Sequence, residues 1–263
     1  MKQSLRVLLE SLIDYAGLFP PAGLPMGEAV ANYDRYRRGP DAWMLGRFVV
    51  PLARVGEVPA DFPKSVLVTT EELETLPAGI DVVEVKVAHA VDIAKIAGGA
   101  GSRMHFVEVA DVALIEALAA GKGAKLAAKI RTGGITTDAF PSHTHVATFL
   151  RMCAIEGTPF KATAGLHHPL RCAAPLTYGP GAPTGTMHGF INVFMAAALI
   201  NDAERILMEE DPSAFRFDDE SASWRGHAVT TEHLGRVRRE FAIAFGSCSF
   251  QEPIAELSEL GWT

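Results

Sequence analysis

Apolar and polar residues along this chain follow two different periods. In Asp81–Val87 three valines face one way while Glu84 and Lys86 face the other, and a period of two residues is typical of a strand. In residues 5–13 the apolar positions recur every three to four residues, which is the period of an amphipathic helix. Segments of the two kinds alternate through the chain, and this alternation predicts parallel strands joined by crossover helices.

The pattern places the individual elements on the sequence. Strands are predicted at Leu45–Leu52, Ser65–Thr69, Asp81–Val87, Met104–Val109, Lys125–Arg131, Phe160–Gly165 and Ala214–Asp218. Helices are predicted at Met26–Arg38, Thr70–Leu76, Ala90–Ala97, Val112–Ala120, Pro141–Glu156, His188–Asn201, Thr230–Gly246 and Pro253–Leu260. One further strand, which a closed barrel needs, is expected around Asp14–Phe19.

This order of elements predicts an α/β fold, a (β/α)8 TIM-like barrel with one irregular or missing strand. The length of 263 residues agrees with the roughly 250 residues of such barrels. We expect a single barrel domain over residues 1–263, because no linker interrupts the pattern. An open doubly wound sheet is the alternative, but the sequence has neither GxGxxG nor GxxxxGK[ST], the glycine-rich turns that favour it.

Composition and charge exclude several classes of partner. A formal net charge of −7 does not suit nucleic-acid binding, which needs a concentrated basic surface. The longest apolar run, near Phe190–Ile200, is short and contains Asn192, so no membrane span is predicted. Three widely spaced cysteines without a CxxC motif fit a reducing compartment, and we expect a cytoplasmic protein. The apolar surface at Phe190–Ile200 suits either the core or a homo-oligomer interface.

Charged residues occupy the strand faces that should point into the barrel. Burying a charge is costly unless it is paired, and this set contains both signs, so its members can pair. Because active sites of such barrels lie at the C-terminal ends of the strands, we expect the charges to converge on a substrate near the mouth. Interior salt bridges that only stabilise the barrel are the alternative. The charged positions are Arg47, Glu84, Lys86, Glu108, Lys125, Lys129, Arg131, Lys161, Arg216 and Asp218.

Two strand ends carry the strongest chemical pattern, KIRTGG at Lys129–Gly134 and KATAG at Lys161–Gly165. In the first, the side chains of Lys129 and Arg131 face the same way and the Thr-Gly-Gly turn offers backbone N–H groups. This combination is typical of a carboxylate or phosphate site.

Neighbouring strands lie about 4.8 Å apart, so the two lysines are expected to be close. Adjacent ammonium groups lower each other's pKa, and a neutral lysine forms a Schiff base with a carbonyl compound. In the alternative, both lysines stay charged and pair with Glu84 or Glu108.

These strand ends resemble those of class I aldolase barrels of the deoxyribose-phosphate aldolase type. The segment GIDVV at Gly79–Val83 is similar to the strand of that family that carries a catalytic aspartate. The resemblance rests on three short motifs. It implies that Lys129 forms the imine, that Lys161 promotes its deprotonation and that Asp81 helps proton transfer.

Histidines and cysteines provide further candidates. The histidines His167, His168 and His188 flank the long loop His167–Thr186, which is expected to form a lid or binding loop. With Glu84 or Glu108 they would form a divalent metal site, whereas His167 without a metal would be a general acid or base. No HExxH motif occurs, so no cofactor is favoured and a divalent metal stays open. Among the thiols, only Cys172 in the loop is expected to be reactive.

The favoured hypothesis is an enzyme with lyase or aldolase-type chemistry on a small anionic carbonyl-containing metabolite, through a strand-end lysine. A metal-dependent hydrolase or isomerase with His and Glu ligands, and a non-catalytic anion-binding barrel, are the alternatives. The predicted catalytic residues are Lys129, Lys161, Glu84, Glu108 and His167. The predicted substrate-binding residues are Arg47, Lys86, Arg131, Thr132, Gly133, Gly134, Thr163 and His168.

Overall fold

The predicted barrel is confirmed. The computed structural model describes residues 1–121 and 123–263, and in these residues eight parallel strands close into a barrel. Along the barrel wall, the first seven strands follow one another in chain order, and the last strand of the chain closes the ring between the seventh and the first. The irregular strand is the first one, which is only three residues long and changes register against the second.

The elements lie as follows. The strands are β1 (Ile13–Tyr15), β2 (Leu45–Pro51), β3 (Lys64–Val68), β4 (Val82–Val87), β5 (Met104–Val109), β6 (Lys125–Arg131), β7 (Phe160–Thr163), β8 (Cys172–Pro175), β9 (Thr184–Met187), β10 (Phe215–Phe217), β11 (Ser221–Trp224), β12 (His227–Thr230) and β13 (Ala242–Ser247). The α-helices are α1 (Gln3–Leu9), α2 (Met26–Tyr36), α3 (Ala90–Gly99), α4 (Leu114–Ala120), α5 (His143–Glu156), α6 (Phe190–Ala198), α7 (Ala203–Leu207), α8 (Thr231–Glu240) and α9 (Gln251–Glu259). Short 3-10 helices lie at Ala42–Met44, Leu52–Glu57, Glu72–Thr75, Thr137–Ala139, Ile200–Asp202 and Pro212–Ala214.

Side chains fill the barrel interior in layers, as alternation along each strand requires. Near the N-terminal ends of the strands, Val82, Phe106 and Ala127 form a small apolar cluster against Met104 and Ile243. Two residues further along β4 and β6, the same faces present Glu84 and Lys129, both of which are buried. The apolar layer therefore closes one end of the barrel and supports a charged layer above it.

Most apolar side chains pack outside the barrel wall, between strands and helices. The opposite face of β4, with Val83, Val85 and Val87, belongs to this outer core, and so do Phe190 and Phe194 of α6. The apolar surface at Phe190–Ile200 thus packs largely against the chain's own barrel, because every residue of α6 from Phe190 to Ala197 is buried. In the described part of the chain no helix combines the length and apolarity needed to cross a membrane.

The long segment between β7 and β13 carries two additions to the barrel. The antiparallel hairpin of β8 and β9 lies at the mouth, where it lines the main cavity. The antiparallel sheet of β10, β11 and β12 instead packs beside α1.

Three element predictions were wrong, and two of them concern the last barrel strand. The segment Thr70–Leu76, predicted as a helix, holds only a short 3-10 helix at Glu72–Thr75. The segment Ala214–Asp218 contains strand β10, but it belongs to the antiparallel sheet, so Arg216 and Asp218 do not point into the barrel. The predicted helix Thr230–Gly246 ends at Glu240, and its remainder is β13. No Gly or Pro separates the two elements. The chain turns where the buried guanidinium of Arg238 donates to the carbonyls of Ala242 and Ile243.

Candidate active site at the barrel mouth

A cavity of about 740 Å³ opens at the C-terminal ends of the strands. Its floor is formed by interior side chains of the barrel, and its walls come from the Phe19–Pro21 loop, the β8–β9 hairpin and the start of α9. This is the place where barrel enzymes hold their substrates. The titratable side chains that line the cavity are Glu84, Lys129, Arg131, His167, His168, Tyr178, Cys248 and Glu252.

Beneath the cavity lies a fully buried ion cluster centred on Lys161. The Nζ atom of Lys161 donates to Oδ2 of Asp14 and to Oε1 of Glu84, both at 2.5 Å. The Ser65 hydroxyl donates to the same Glu84 oxygen at 2.7 Å. Burial lowers the pKa of Lys161, but the two carboxylates outweigh burial and raise the pKa above its ordinary value. The two carboxylates therefore favour the charged form of Lys161, whose side chain has no exposed surface.

Lys129 continues the cluster up to the cavity floor. Its Nζ atom lies 2.8 Å from Oε2 of Glu84 and 3.1 Å from Oε2 of Glu108. Arg131 lies above it, with Nε at 3.9 Å from Glu108 and about half of its side chain exposed. Each lysine therefore contacts carboxylates, as the alternative expected: Lys129 contacts Glu84 and Glu108, and Lys161 contacts Glu84 and also Asp14.

The charges of this layer balance. Burial alone would raise the pKa of Glu84, but the ammonium groups of Lys161 and Lys129 hold the pKa well below its ordinary range. Asp14, Glu84 and Glu108 thus face Lys129, Lys161 and Arg131. An uncompensated buried charge would be costly, and this matching explains why the barrel tolerates so many interior charges.

Strand register and two glycines determine the positions of these side chains. Lys129 and Lys161 are direct neighbours in the pairing of β6 with β7, and Glu108 is the neighbour of Lys129 in β5. Asp14 lies on the short β1 beside Gly46, where a Cβ atom would come within 2.2 Å of the Asp14 carboxylate. Gly246 is likewise the β13 neighbour of both Asp14 and Thr163.

The turns after β6 and β7 correct part of the predicted anion site. The Thr132 N–H donates to the Thr163 carbonyl at 2.8 Å, and its hydroxyl donates to the Ala164 carbonyl at 2.7 Å. The α-carbon of Gly133 packs against that of Gly165, so closely that a Cβ at Gly133 would lie 2.8 Å from it. The Thr132 N–H is thus occupied by a strand-end contact, and Thr132 and Gly133 lie outside the cavity lining, whereas Gly134 lines the cavity.

One wall of the cavity holds a cysteine, a histidine and a glutamate in contact. The Sγ atom of Cys248 lies 3.8 Å from Nε2 of His167, and Nδ1 of His167 lies 2.9 Å from Oε2 of Glu252. The hydroxyl of Tyr178 donates to the same Glu252 oxygen at 3.0 Å and lies 3.8 Å from the Cys248 sulfur. Burial lowers the pKa of His167, but its bonds to Cys248 and Glu252 outweigh burial and raise the pKa to about 9.

The next histidine has a related environment. Nδ1 of His168 lies 2.6 Å from Oε1 of Glu256, one turn after Glu252 on α9. The Cys172 thiol and the Glu256 carboxylate raise the pKa of His168 to about 10. Both histidines are therefore largely protonated at neutral pH and add positive charge to the cavity wall.

The structure brings together most, but not all, of the predicted site residues. Glu84, Lys129, Arg131, Gly134, Thr163, His167 and His168 line the cavity. Glu108 and Lys161 contact this group from beside and below. Arg47 and Lys86 lie outside the cavity lining. Lys86 is exposed, and Arg47 is placed near the start of β2 where its N–H donates to Asp14.

Three further predictions are corrected. Asp81 is exposed and precedes β4 at the end of the barrel opposite the mouth, so it does not reach Lys129. His188 is buried with Nε2 bonded to the Pro141 carbonyl at 2.8 Å. In the residues that the structure describes, no group of three or more His, Cys, Asp and Glu side chains is arranged to hold a metal ion.

Sequence reasoning did not identify Cys248, Glu252 or Tyr178 as site residues. Cys248 follows directly on β13 and Glu252 is the second residue of α9, but the helix predicted through Gly246 concealed this strand end. The available signal was the strand–turn–helix order of SCSFQEP at residues 247–253, because side chains at such junctions face a barrel's mouth.

Comparisons with known proteins add little to this description. No protein-family profile matches the chain, and no curated protein matches it. Among solved structures, a mutant of FabK from Thermotoga maritima is similar over 99% of this chain and 97% of that chain, with 13% sequence identity and a TM-score of 0.39. A likeness of this degree carries no argument about the activity of this protein.

Proposed function

We propose that the chain is an enzyme that acts on a small anionic carbonyl-containing metabolite at the barrel mouth, by lyase or aldolase-type chemistry on Lys129. The observation that carries the proposal is that Lys129 presents an amine to the cavity with Arg131 beside it, while carboxylates lie beneath. The fully buried Lys161 does not line the cavity. It supports Glu84 and hence the position of Lys129.

The anion is held by positive charge around the cavity. Arg131 offers a guanidinium that is about half exposed, and such a group binds carboxylate or phosphate oxygens in a bidentate manner. The imidazolium groups of His167 and His168 add charge of the same sign to the cavity lining. A small acid with its carbonyl group towards the floor fits this distribution.

The proposed reaction begins with loss of a proton from the Lys129 ammonium to Glu108, whose carboxylate lies 3.1 Å away. The free amine attacks the carbonyl carbon, the carbonyl oxygen leaves as water after protonation, and an iminium ion results. The C–H or C–C bond at the carbon next to the iminium carbon then breaks, and its electron pair forms an enamine. A basic group at the site takes the proton, either from that C–H bond or from the hydroxyl of the fragment that departs as a carbonyl compound. Protonation of the enamine and addition of water release the product and restore the Lys129 amine. In this proposal His167, protonated at neutral pH, supplies protons as a general acid.

Exchange of substrate hydrogen with solvent tests this proposal, because iminium formation labilises the α-hydrogens. Small aldehydes and 2-oxo acids, with and without phosphate groups, are incubated with the protein in D₂O and followed by NMR. We expect accelerated exchange of at least one compound, and a loss of about 10³-fold in Lys129→Met.

The matched control for this variant is Lys125→Met, which removes an exposed lysine from the other end of the same strand. It should exchange like the unaltered protein. Full exchange activity in Lys129→Met, or the absence of enzyme-dependent exchange with every compound, would contradict the proposal.

A further inference from the structure

One wall of the cavity carries Cys248 and Glu252, two groups that the imine chemistry does not use, in contact with His167. We propose that Cys248, His167 and Glu252 form a nucleophilic thiol site that accepts the acyl group of a small ester or thioester. This inference goes beyond the proposed function, because it requires neither Lys129 nor an imine.

The three side chains are connected in the order that nucleophilic catalysis requires. Nδ1 of His167 faces the Glu252 carboxylate at 2.9 Å, so it carries a hydrogen, and Nε2 of the same ring faces the Cys248 sulfur at 3.8 Å. A nucleophile, a base and a carboxylate that orients the base recur on unrelated folds in this arrangement. The carboxylate also fixes the ring, since the Tyr178 hydroxyl holds the same Glu252 oxygen.

The charge state of the histidine favours a reactive sulfur. With a pKa of about 9, after burial is outweighed by Cys248 and Glu252, His167 is an imidazolium at neutral pH. A protonated imidazole beside a thiol stabilises the thiolate, which is the nucleophilic form of cysteine.

Access distinguishes Cys248 from the other thiols. Its own surface is largely buried, yet it lines the cavity together with His167 and Glu252. Cys153 lies in the core, where burial raises the pKa of its thiol far above the ordinary value. Cys172 is half-buried near His168 but lies outside the cavity lining. The prediction that Cys172 is the reactive thiol is therefore replaced by Cys248.

The proposed step is an acyl transfer that needs no oxidant or metal. The Cys248 sulfur attacks the acyl carbon, and the bond from that carbon to its oxygen or sulfur leaving group breaks. The leaving group takes a proton from Nε2 of His167, and a thioester on Cys248 remains. Water then attacks the thioester, with His167 accepting its proton, so that the free acid and the Cys248 thiol are regenerated.

The test combines an acyl donor with peptide mapping. The full-length protein is mixed with p-nitrophenyl acetate at pH 7, quenched in acid and digested, and the acetylated peptides are identified by mass spectrometry. We expect one acetyl group on Cys248 in the unaltered protein, and none on that peptide in Cys248→Ser. The matched variant Cys172→Ser should keep the full acetylation of Cys248.

The role of the histidine has its own readout. In His167→Gln the rate of Cys248 acetylation at pH 7 should fall at least about 10-fold, because the general base and the thiolate partner are lost. Alkylation of the same variants by iodoacetamide, together with thermal unfolding, shows whether the thiol is still accessible in a folded protein.

Two outcomes would overturn the inference. One is acetylation of Cys172 or of lysines while Cys248 stays unmodified and the protein releases no p-nitrophenol beyond those acetylations. The other is alkylation of Cys248 by iodoacetamide without any acetylation by the ester, since this would show an accessible thiol without acyl-transfer capacity. Either result leaves the exchange test of Lys129 unaffected, so the two proposals fail independently.

Discussion

The two halves of the charged layer are chemically alike but differ in their access to the cavity. In the inner half, Lys161 is enclosed by Asp14 and Glu84, with no exposed surface. In the outer half, Lys129 contacts Glu84 and Glu108 in the same way, yet it forms part of the cavity floor below Arg131. The lysines are neighbours in one strand pairing, so residue type and register alone do not decide which of them meets a ligand. The decisive difference is access: Lys129 lines the cavity, whereas Lys161 does not.

The first prediction concerns the inner half and has the largest expected effect. Lys161→Met leaves Asp14 and Glu84 buried without their shared cation, and breaking such a pair typically costs about 3–5 kcal/mol. Lys129→Met should cost less, about 1–2 kcal/mol, because Glu84 keeps Lys161 and Glu108 is partly exposed. Urea denaturation measures both free energies of unfolding. Equal losses of unfolding free energy in the two variants would contradict the stronger dependence of the inner half on its lysine.

The second prediction extends the comparison to the cavity wall. The folded-state pKa of His167, about 9, lies above its ordinary value of 6.5. Protonated His167 therefore stabilises the fold fully below pH 6.5, and this contribution decreases as the pH rises to about 9. The stability difference between the unaltered protein and His167→Gln should shrink by on the order of 2 kcal/mol across this interval, allowing for solvent screening at Glu252.

Denaturant titrations at several pH values provide the measurement. Glu252→Gln should remove part of the same pH dependence, since it takes away one partner of the imidazolium while Cys248, the stronger one, remains. A stability difference that stays constant from pH 6.5 to 9 would contradict the assigned pairing.

The third prediction concerns the outer half and has the smallest effect on free energy. Arg131→Met should weaken the binding of small 2-oxo acids about 10-fold, or about 1.4 kcal/mol, because it removes a charge at the cavity rim. Its side chain is about half exposed, so the free energy of unfolding should change by less than about 0.5 kcal/mol. Calorimetric titration measures the affinity. Arg216→Met, in the antiparallel sheet beside α1, is the matched control and should bind normally.

Strand alternation predicted the part of the site that depends on local periodicity. β5 and β6 have the predicted bounds, Met104–Val109 and Lys125–Arg131. Their interior faces carry Glu108 and Lys129, as the pattern indicated. A side chain on an alternating strand points to a face that its own sequence determines, and this explains why these residues could be found without a structure.

The remaining part of the site depends on contacts between distant segments. Asp14, the partner of Lys161 at a separation of 147 residues, lies on a strand too short to show a period. Cys248 and His167 are 81 residues apart and meet only because β13 closes the barrel beside β7. The buried Arg238 that terminates α8 is also a tertiary feature, so the strand after it was assigned to the helix.

The sequence of the turn at Thr132–Gly134 did not reveal its contact with the neighbouring strand end. Thr132 and Gly133 have the composition of an anion-binding turn, but the neighbouring strand end at Gly165 packs directly against them. Gly133 allows the two backbones to approach closely. A glycine in KIRTGG fits both this packing role and ligand binding, so the sequence could not distinguish them.

Covalent trapping compares the two lysines most directly. The unaltered protein is incubated with small aldehydes and keto acids, reduced with borohydride, digested and mapped by mass spectrometry. The account predicts a reduced adduct on Lys129 and none on Lys161. An adduct on Lys161, or modification confined to exposed lysines such as Lys125 while Lys129 stays free, would contradict it.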